Sequence, residues 1–505
     1  MQFLIGVDIG TQSTRAVVME ETGRIVSQAA KETELIYEGE RGVWQEPDRM
    51  YQDCTETVRA AVEKAGIAPS QVASICMDAQ MAGTMGIGRN GEAVTLYDSW
   101  LDKRCEDCWD DLRDFGEEEF IAITGAPVTY AHGPKVLWWK KYHPEVYRRI
   151  DKFVPPGSYL TMRFCGLTGE RAFVDHTYLH FTGFADTKNK KWSGRLLSAF
   201  GIEESKMPRI VHPWDLAGGL TKETARACGL IEGTPVVCGC GDTAACAVGA
   251  GVTRPGVLFD VAGTASVFAC AVGEYQPDTK YKTILFAPGV IEDLYAPMAY
   301  ISGGGMCLKW FRDAVLRGEK SYQELDALAA ELPRGSGGLL FTPHFSGRVC
   351  PNDGTTKGSW LGLSMQHDYR HLYRAVVESL AYEYKMYFDI IRETISLDGC
   401  KPYVLSVGGG AKSALMNQIK ADVLGVPIRT LKNPDTGALG CGVIAGYGVG
   451  LYDSIPKTVD RLTVFQDEFI PDPQGCEAYQ LYAAAYRKSF DHLRPLYTFL
   501  QKAQA

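Results

Sequence analysis

The chain has 505 residues, 46% of them hydrophobic and 22% charged, with a formal net charge of −9. This composition is typical of a globular protein with two or three domains. The acidic balance, without a Lys/Arg run, argues against a protein that binds duplex nucleic acid. The N-terminus is too quickly charged for a signal peptide, and no apolar run is long enough to span a bilayer. We therefore expect a cytoplasmic protein that binds neither nucleic acid nor membrane.

The 15 cysteines are expected to be reduced thiols in that compartment. Two close pairs, Cys105 with Cys108 and Cys238 with Cys240, could suggest a metal site. Neither has a second pair or a histidine at zinc-binding spacing. We interpret these cysteines as small packing residues.

The N-terminal part of the chain alternates strand and helix signals. Apolar runs over 3–8, 16–19 and 25–30, separated by turn signals, predict three strands. Pro47 and Asp48 open a helical stretch to about residue 64, with Asp48 as a candidate cap. A further apolar run over 72–77 predicts a buried strand. Strands alternating with helices indicate an α/β fold.

The same alternation resumes near residue 236. There a short apolar strand, a Gly-rich turn and a helix of small residues follow one another. Strands are predicted over 257–261 and 404–407, and a long helix over 371–395. We place the domain boundary near Gly251, which gives domains 1–251 and 252–505.

An internal repeat supports this division. Asp8 is followed by Gly10-Thr11-Gln12-Ser13, and Asp260 by Gly263-Thr264-Ala265-Ser266, each after one apolar strand and before another. Two similar β-hairpins, over 8–18 and 260–269, therefore open the two halves. This pattern suggests a duplicated architecture with a nucleotide clamped between its halves.

The first hairpin carries residue types that suit phosphoryl transfer. Glycine in a tight turn lets backbone N–H groups approach phosphate, and Thr and Ser add hydroxyl donors. Asp8 can hold Mg²⁺ directly or through water, and Arg15 adds a positive charge. The alternative for Asp8 is a carboxylate that only forms the turn.

Asp242 is the candidate general base. It lies between a predicted strand end and a helix of small residues, with glycines before it and alanines after it. A general base needs hydrogen-bond reach to the substrate hydroxyl. The alternative is a plain N-cap for the following helix, and the two roles are compatible.

Five segments together resemble the FGGY carbohydrate kinase family, and its xylulokinases most. They are DIGTQSTRAVVM, FDVAGTASVF, LSVGGGAKSALMNQ, CGCGDTAACAVGAG and GSWLGLSMQHDYRHLYRAVVE, and the last fits the family's C-terminal signature from Gly358 through Glu378. The other family signature keeps Lys135 and Trp138, but His132 and Trp139 depart from it. The resemblance covers nearly the whole chain.

This resemblance implies two actin-like (ribonuclease H-like) domains with the active site in the cleft between them. It implies ATP and Mg²⁺ as cofactors, Asp242 as the catalytic base and Asp8 as the metal ligand. Nucleotide binding would fall to a set from both halves: Thr11, Gln12, Ser13, Arg15, Gly263, Thr264, Gly305, Gly409, Gly410 and Asn417. Gly408 belongs to the same adenosine motif.

Sugar binding is expected in the N-terminal domain. Three segments resemble the family's sugar-binding elements: 42–46, 78–83 and 99–104. Carboxylate, amide and Arg groups can each pair with a sugar hydroxyl and reject an analogue that lacks it. The implied substrate-binding residues are Gln80, Met81, Ala82, Trp100, Asp102, Arg104 and Asp242. The alternatives are core positions for the tryptophans and a surface ion pair for Arg104.

The favoured reaction is the ATP-dependent phosphorylation of D-xylulose to D-xylulose 5-phosphate. Ala82 stands where xylulokinases usually have a sugar-contacting His, so other substrates stay open: ribulose, glycerol, gluconate, an autoinducer or a cyclic polyol. A non-catalytic ATP-binding sensor on the same fold is the rival hypothesis. The expected partner is a small-molecule sugar, and a homodimer is left open.

Overall fold

The computed structural model describes residues 1–397 and 399–504. The chain forms two compact units. The first unit comprises Met1–Thr253, Phe286–Tyr295 and Asp435–Thr463, and the second comprises Arg254–Leu285, Ala296–Pro434 and Val464–Ala505. Each compact unit is built from three separate segments of the chain, so the units do not correspond to one boundary in the sequence. The division into family domains at Gly251 stays a prediction.

The strands run from β1 near the N-terminus to β25 near the C-terminus. Sixteen precede residue 253: β1 (Phe3–Ile9), β2 (Ser13–Glu20), β3 (Ile25–Glu32), β4 (Ile36–Glu38), β5 (Gly42–Gln45), β6 (Val72–Ala79), β7 (Met85–Ile87), β8 (Tyr97–Asp98), β9 (Lys152–Val154), β10 (Phe173–Asp175), β11 (Ala185–Asp186), β12 (Lys191–Trp192), β13 (Arg209–Val211), β14 (Leu216–Gly219), β15 (Pro235–Val237) and β16 (Cys240–Gly241). The later ones are β17 (Val257–Ala262), β18 (Ser266–Cys270), β19 (Leu285–Pro288), β20 (Tyr295–Ile301), β21 (Leu340–Thr342), β22 (Ser359–Leu361), β23 (Tyr403–Val407), β24 (Ile428–Leu431) and β25 (Phe465–Phe469).

The α-helices follow the same order. They are α1 (Pro47–Ala65), α2 (Trp109–Arg113), α3 (Glu117–Thr124), α4 (His132–Tyr142), α5 (Pro144–Arg149), α6 (Pro156–Cys165), α7 (Leu179–Thr182), α8 (Gly194–Ala199), α9 (Lys222–Cys228), α10 (Asp242–Ala250), α11 (Gly304–Trp310), α12 (Tyr322–Ala330), α13 (Tyr369–Thr394), α14 (Ala414–Leu424), α15 (Thr436–Gly448), α16 (Ile455–Leu462) and α17 (Pro473–Gln504).

Two sheets share one topology. The order in the first is β14-β15-β6-β1-β2-β3, with β16 also on β6, and in the second it is β19-β20-β18-β17-β23-β24-β25. In each sheet an antiparallel hairpin, β1–β2 or β17–β18, continues into a parallel pair, β1–β6 or β17–β23. Both predicted hairpins are therefore confirmed, and so is the duplicated α/β architecture.

The predicted long helices are present, with one correction at a helix start. The helix α1 begins at Pro47 as expected, but its cap is Glu46, whose side chain accepts a hydrogen bond from the Arg49 backbone N–H. Asp48 lies inside the first turn and does not cap the helix, but its negative charge there interacts favourably with the helix dipole. The helix predicted over 371–395 is α13.

Small residues bring α10 and α15 of the first unit into close contact. A Cβ on Gly249 would lie 1.9 Å from the Thr436 carbonyl oxygen, and one on Gly440 would lie 2.0 Å from that of Ala245. Only glycine permits this approach. Since α10 begins at Asp242, this packing fixes where the candidate base lies.

A core of apolar side chains fills the space between the first sheet and α1, including Ile5, Val7, Val58 and Ile75.

The four cysteines of the two close pairs are buried free thiols. Within residues 1–397 and 399–504, no helix combines the length and apolar character that a membrane crossing requires.

Candidate active site

Three acidic residues meet where parallel strands of the first sheet end. In the register of β1 against β6, Asp8 is opposite Asp78, and Asp78 is in turn opposite Cys240 of β16. Asp242 follows β16 directly as the first residue of α10. Because the carboxyl ends of parallel strands share one sheet edge, the fold gathers these side chains.

Asp242 has the properties of a general base. Burial, followed by the negative charge of Asp8, raises its pKa to about 7. Its Oδ1 accepts hydrogen bonds from the Thr243 backbone N–H at 2.5 Å and from the Thr243 hydroxyl at 3.2 Å. The residue keeps part of its surface exposed. A carboxylate with a pKa near neutrality and an accessible edge can take a proton at physiological pH.

Asp8 and Asp78 differ in access. Burial raises the pKa of both carboxyl groups, and that of Asp78 lies well above its usual range. Asp8 is partly exposed, whereas Asp78 is fully buried and accepts a hydrogen bond from the Cys441 thiol at 3.2 Å. Asp78 was not among the predicted site residues, although it directly follows a predicted apolar strand and opens the 78–83 segment.

Arg15 is the cation nearest to these acids in the hairpin. It is opposite Asp8 in the β1–β2 register, and its charge counteracts the rise in the pKa of Asp8. Its guanidinium Nη1 is 2.8 Å from Asp435 Oδ1. Arg15 is therefore held by an ion pair at the acidic cluster, with 42% of its side chain exposed.

The turn of the first hairpin connects to two predicted sugar-binding residues. The Trp100 indole N–H donates to the Thr11 hydroxyl at 2.8 Å, and that hydroxyl lies 3.4 Å from Gln80 Oε1. The Gln80 amide N–H donates to Gln45 Oε1 at 2.6 Å. Ser13 closes the turn by accepting from the Gly10 N–H, and the neighbouring Gln12 side chain is exposed.

The Met81–Ala82 segment approaches the start of α10. A Cβ on Gly241 would lie 2.6 Å from the Met81 side chain, so Met81 packs next to the residue that precedes Asp242. Ala82 has a left-handed backbone with φ of 61°. Its carbonyl oxygen accepts a hydrogen bond from Lys135 Nζ at 3.3 Å. The lysine of the family signature thus supports this loop.

Asp102 and Arg104 form a buried cluster instead of presenting free groups. Asp102 Oδ2 accepts from the Val43 N–H at 2.9 Å and from Arg104 Nε at 2.8 Å, and its Oδ1 accepts from the Arg104 N–H at 3.1 Å. Arg104 Nη2 also bonds Asp98 at 2.6 Å. The guanidinium lies between two rings, with centroid distances of 4.3 Å to Trp44 and 4.2 Å to Trp138.

Trp139 and His132, which depart from the family signature, both contact other side chains of the first unit. The Trp139 indole N–H donates to Asp98 Oδ2 at 2.6 Å, which ties α4 to the Arg104 cluster. His132 is buried and stacks on Tyr178 with ring centroids 6.0 Å apart. Burial lowers the pKa of His132 to about 3, so its ring is neutral at physiological pH.

A separate pocket of about 550 Å³ lies within the second unit. Its volume suits a nucleotide-sized ligand. Five residues predicted to bind nucleotide line it: Gly263, Thr264, Gly305, Gly409 and Gly410. Lining residues that the sequence analysis missed or left unassigned include Ser266, Lys309, Tyr322, Gln323, Asp326 and Lys412.

The glycines of this pocket are required by close approach. A Cβ on Gly305 would lie 2.4 Å from the Gly263 carbonyl oxygen, and one on Gly410 would lie 2.7 Å from the Ala262 Cβ. Asn417 does not line the pocket. It is fully buried, and its amide N–H donates to the Ala411 carbonyl at 2.8 Å, which supports the glycine turn from behind.

The duplicated sheets, the acidic cluster and the glycine-lined pocket define a phosphotransferase. Comparison with known proteins gives its family. The model of the FGGY family of carbohydrate kinases matches residues 3–249 with its N-terminal domain and residues 259–449 with its C-terminal domain. The chain belongs to the FGGY family of carbohydrate kinases and is a sugar phosphotransferase.

Individual relatives match over almost the full length. The chain is 27% identical to the xylulose kinase of Bacillus subtilis (strain 168), covering 99% of both chains. It is 28% identical to the autoinducer-2 kinase of Klebsiella pneumoniae, covering 95% of this chain and 92% of that protein. The crystal structure of xylulose kinase from Rhodospirillum rubrum superposes with a TM-score of 0.88 at 26% identity, covering 98% of this chain and 100% of that chain.

Proposed function

We propose that this protein transfers the γ-phosphoryl group of ATP to a hydroxyl of D-xylulose, giving D-xylulose 5-phosphate. The observation that carries the proposal is the position of Asp242, a partly exposed carboxylate at the start of α10 and at the strand ends that carry Asp8 and Asp78, where burial raises its pKa to about 7. Similarity to proteins named xylulose kinase supports the choice of substrate.

In this mechanism Asp242 is the base. Both hydrogen bonds from Thr243 go to Oδ1, so the other carboxylate oxygen accepts the proton of the attacking hydroxyl. As that proton moves, the sugar oxygen bonds to the γ-phosphorus, and the bond from phosphorus to the bridging oxygen of ADP breaks. Loss of the proton makes the hydroxyl a better nucleophile.

Among the described residues, no three His, Cys, Asp or Glu side chains form a metal site by themselves, so a divalent cation here would share its ligands with substrate phosphates. Burial raises the pKa of Asp8, Asp78 and Asp242, and the negative charge of Asp8 raises the pKa of the other two further. A divalent cation relieves such repulsion, and Mg²⁺ is bound in phosphotransferases by one or two carboxylates together with substrate phosphates. We assign this ligation to Asp8, which is partly exposed, and not to Asp78, which is buried. When bound, Mg²⁺ supplies charge neutralisation at the phosphates.

ATP is assigned to the pocket of the second unit. Gly409 and Gly410 would lie against the adenosine, while the turn at Thr264 would offer its backbone N–H group and hydroxyl to the phosphates. Arg15 adds positive charge beside Asp8. Asn417 acts indirectly, through Ala411.

A substrate panel tests the proposal. ADP release is coupled to a spectrophotometric readout with Mg·ATP and, in turn, ketoses, polyols, a sugar acid and an autoinducer-type substrate. We expect D-xylulose to give the highest kcat/KM. A different preferred substrate would contradict the assignment of xylulose as the substrate but leave the kinase activity supported. ADP release that no substrate stimulates would favour the sensor hypothesis. The cytoplasmic location stays a prediction, and whether the protein forms a homodimer stays open.

A further inference from the structure

Two buried polar atoms near the acidic cluster have no hydrogen-bond partner in the part of the chain that the structure describes. They are the amide nitrogen of Gln45 and the hydroxyl of Tyr97, and the two residues are at most 1% exposed. A buried donor without a partner destabilises the folded protein, so such groups usually have a role. These two are direct cross-strand neighbours, since Gln45 of β5 is opposite Tyr97 of β8.

Both side chains reach the same loop. The amide oxygen of Gln45 accepts a hydrogen bond from Gln80 at 2.6 Å, which fixes the amide and directs its NH₂ group away from Gln80. The Tyr97 hydroxyl lies against Gly83, because a Cβ there would be only 2.0 Å from that oxygen. Gln80 and Gly83 bracket the segment that packs beside Gly241.

The charge of Asp242 also acts on Tyr97. Burial is the largest cause that raises the pKa of the Tyr97 hydroxyl, and the charge of Asp242 is the second. The hydroxyl is therefore a neutral donor. The base and the two unpartnered donors thus lie in one region of the first unit.

We propose that Gln45 and Tyr97 bind oxygen atoms of an uncharged polyhydroxy substrate and thereby select it over sugar acids. The Gln45 NH₂ group donates to a carbonyl or hydroxyl oxygen, and the Tyr97 hydroxyl pairs with a neighbouring hydroxyl. This inference rests on the proposed function, because it assumes that the substrate's reacting hydroxyl lies at Asp242.

The surrounding charges set the preference for a neutral ligand. The two unpartnered donors are an amide NH₂ group and a neutral hydroxyl, and neither supplies a positive charge to a carboxylate. The nearby cations are already paired: Arg104 binds Asp98 and Asp102, Lys135 binds the carbonyl oxygens of Tyr130 and Ala82, and Arg15 binds Asp435. A sugar acid would therefore enter without a counter-ion, whereas a neutral ketose needs only donors and acceptors.

Two conservative variants test this proposal. Tyr97→Phe removes only the hydroxyl, and Gln45→Glu keeps the acceptor for Gln80 while removing the NH₂ donor. Tyr147→Phe is the matched control, because the Tyr147 hydroxyl is also buried and unpartnered among the described residues, while its ring lies against Lys206 and not against the 80–83 loop. Melting temperatures confirm that each variant folds.

We expect each test variant to raise the KM for the preferred sugar by about tenfold or more, as the loss of one buried hydrogen bond does. The KM for ATP should not change, and Tyr147→Phe should match wild type in both. Wild-type protein should prefer an uncharged ketose to the sugar acid of the same length by at least about tenfold.

Binding measurements separate this proposal from the proposed function. Calorimetric titration of sugar into the Asp242→Asn protein reports affinity without turnover, so the effect of adding Tyr97→Phe or Gln45→Glu can be read even if catalysis is absent. The proposal is overturned if folded test variants bind sugar within twofold of their parent, or if sugar acids bind as well as ketoses. If one test variant does not fold, the other decides.

Discussion

The negative charge of Asp8 raises the pKa of Asp242. The two residues come from separate stretches of chain, one near the end of β1 and the other at the start of α10. Their pairing resembles other sites in which two acids are given different tasks by their surroundings. In our account the less basic role, metal ligation, belongs to Asp8, and proton abstraction belongs to Asp242.

The first prediction concerns pH. Asp242 is an active base only when ionised, so kcat/KM for the sugar should fall as the pH drops below about 7, approaching tenfold per unit. The proton also affects stability. Because the folded pKa is raised from 3.8, the folded state holds a proton that the unfolded state has lost, and this group's contribution to stability decreases as the pH rises from about 4 through about 7. A flat rate profile between pH 5 and 8 (about two units below and one above that pKa) would contradict the assignment.

The second prediction concerns Mg²⁺. Asp8→Asn should raise the Mg²⁺ concentration for half-maximal rate by about tenfold or more, because a neutral amide is a weaker ligand for a hard cation. The same variant removes a negative charge near Asp242, so the acid limb of its pH profile should shift to lower pH. Rates are measured over a Mg²⁺ series at fixed ATP. An unchanged Mg²⁺ dependence would remove Asp8 from the metal site.

The third prediction concerns the nucleotide. Gly410→Val should raise the KM for ATP by about tenfold or more, roughly 1.4 kcal/mol, because a side chain there meets the Ala262 Cβ at 2.7 Å. Gly354→Val is the matched control in the same unit, since a Cβ at Gly354 meets no atom within 4 Å. Sugar affinity should not change in either protein. Equal ATP affinity in both variants would place the adenosine elsewhere.

The fold was largely predictable because its signals are local. The hairpin turns at Gly10-Thr11 and Gly263-Thr264 interrupt apolar strands, and the apolar spacing of α13 has the helical period. The contribution of 435–463 to the first unit was not predictable, because it depends on contacts between α15 and elements more than 180 residues earlier in the chain.

The candidate site was predictable only in part. A Gly-rich turn marked Asp242, but its pKa depends on Asp8 and on burial, which only the fold creates. Sugar binding by Arg104 stays a prediction, but its position between Trp44 and Trp138 and its pairing with two carboxylates were not predicted. These contacts join residues from separate segments of the chain, and no spacing rule predicts them from the sequence.

The fourth prediction follows from that arrangement. Asp102→Ala should lower the free energy of unfolding by about 3 kcal/mol, because it leaves Arg104 buried with one partner fewer. It should also weaken transition-state binding of the sugar by about 2 kcal/mol, since Asp102 fixes the Val43 backbone beside Gln45. Basal ATP hydrolysis should not change.

The control for this variant is Asp107→Ala. Asp107 pairs with Arg41 at the surface, with both side chains more than 40% exposed, so its loss should cost less than about 1 kcal/mol. Urea unfolding and initial rates measure both effects. A defect with sugar in an Asp102→Ala protein of wild-type stability would mean that Asp102 contacts the sugar directly, and no defect in either measurement would remove it from the site.

The most direct test of the account is the turnover of Asp242→Asn on the preferred sugar. Asparagine keeps the size of the side chain and its acceptor for Thr243 but is not a base. We predict that kcat falls by about 10²–10⁴-fold, with ATP affinity nearly unchanged. The melting temperature above pH 7 should be equal or higher, because a buried charge is removed. A folded Asp242→Asn protein that retains more than about a tenth of wild-type turnover would contradict the assignment of Asp242 as the base.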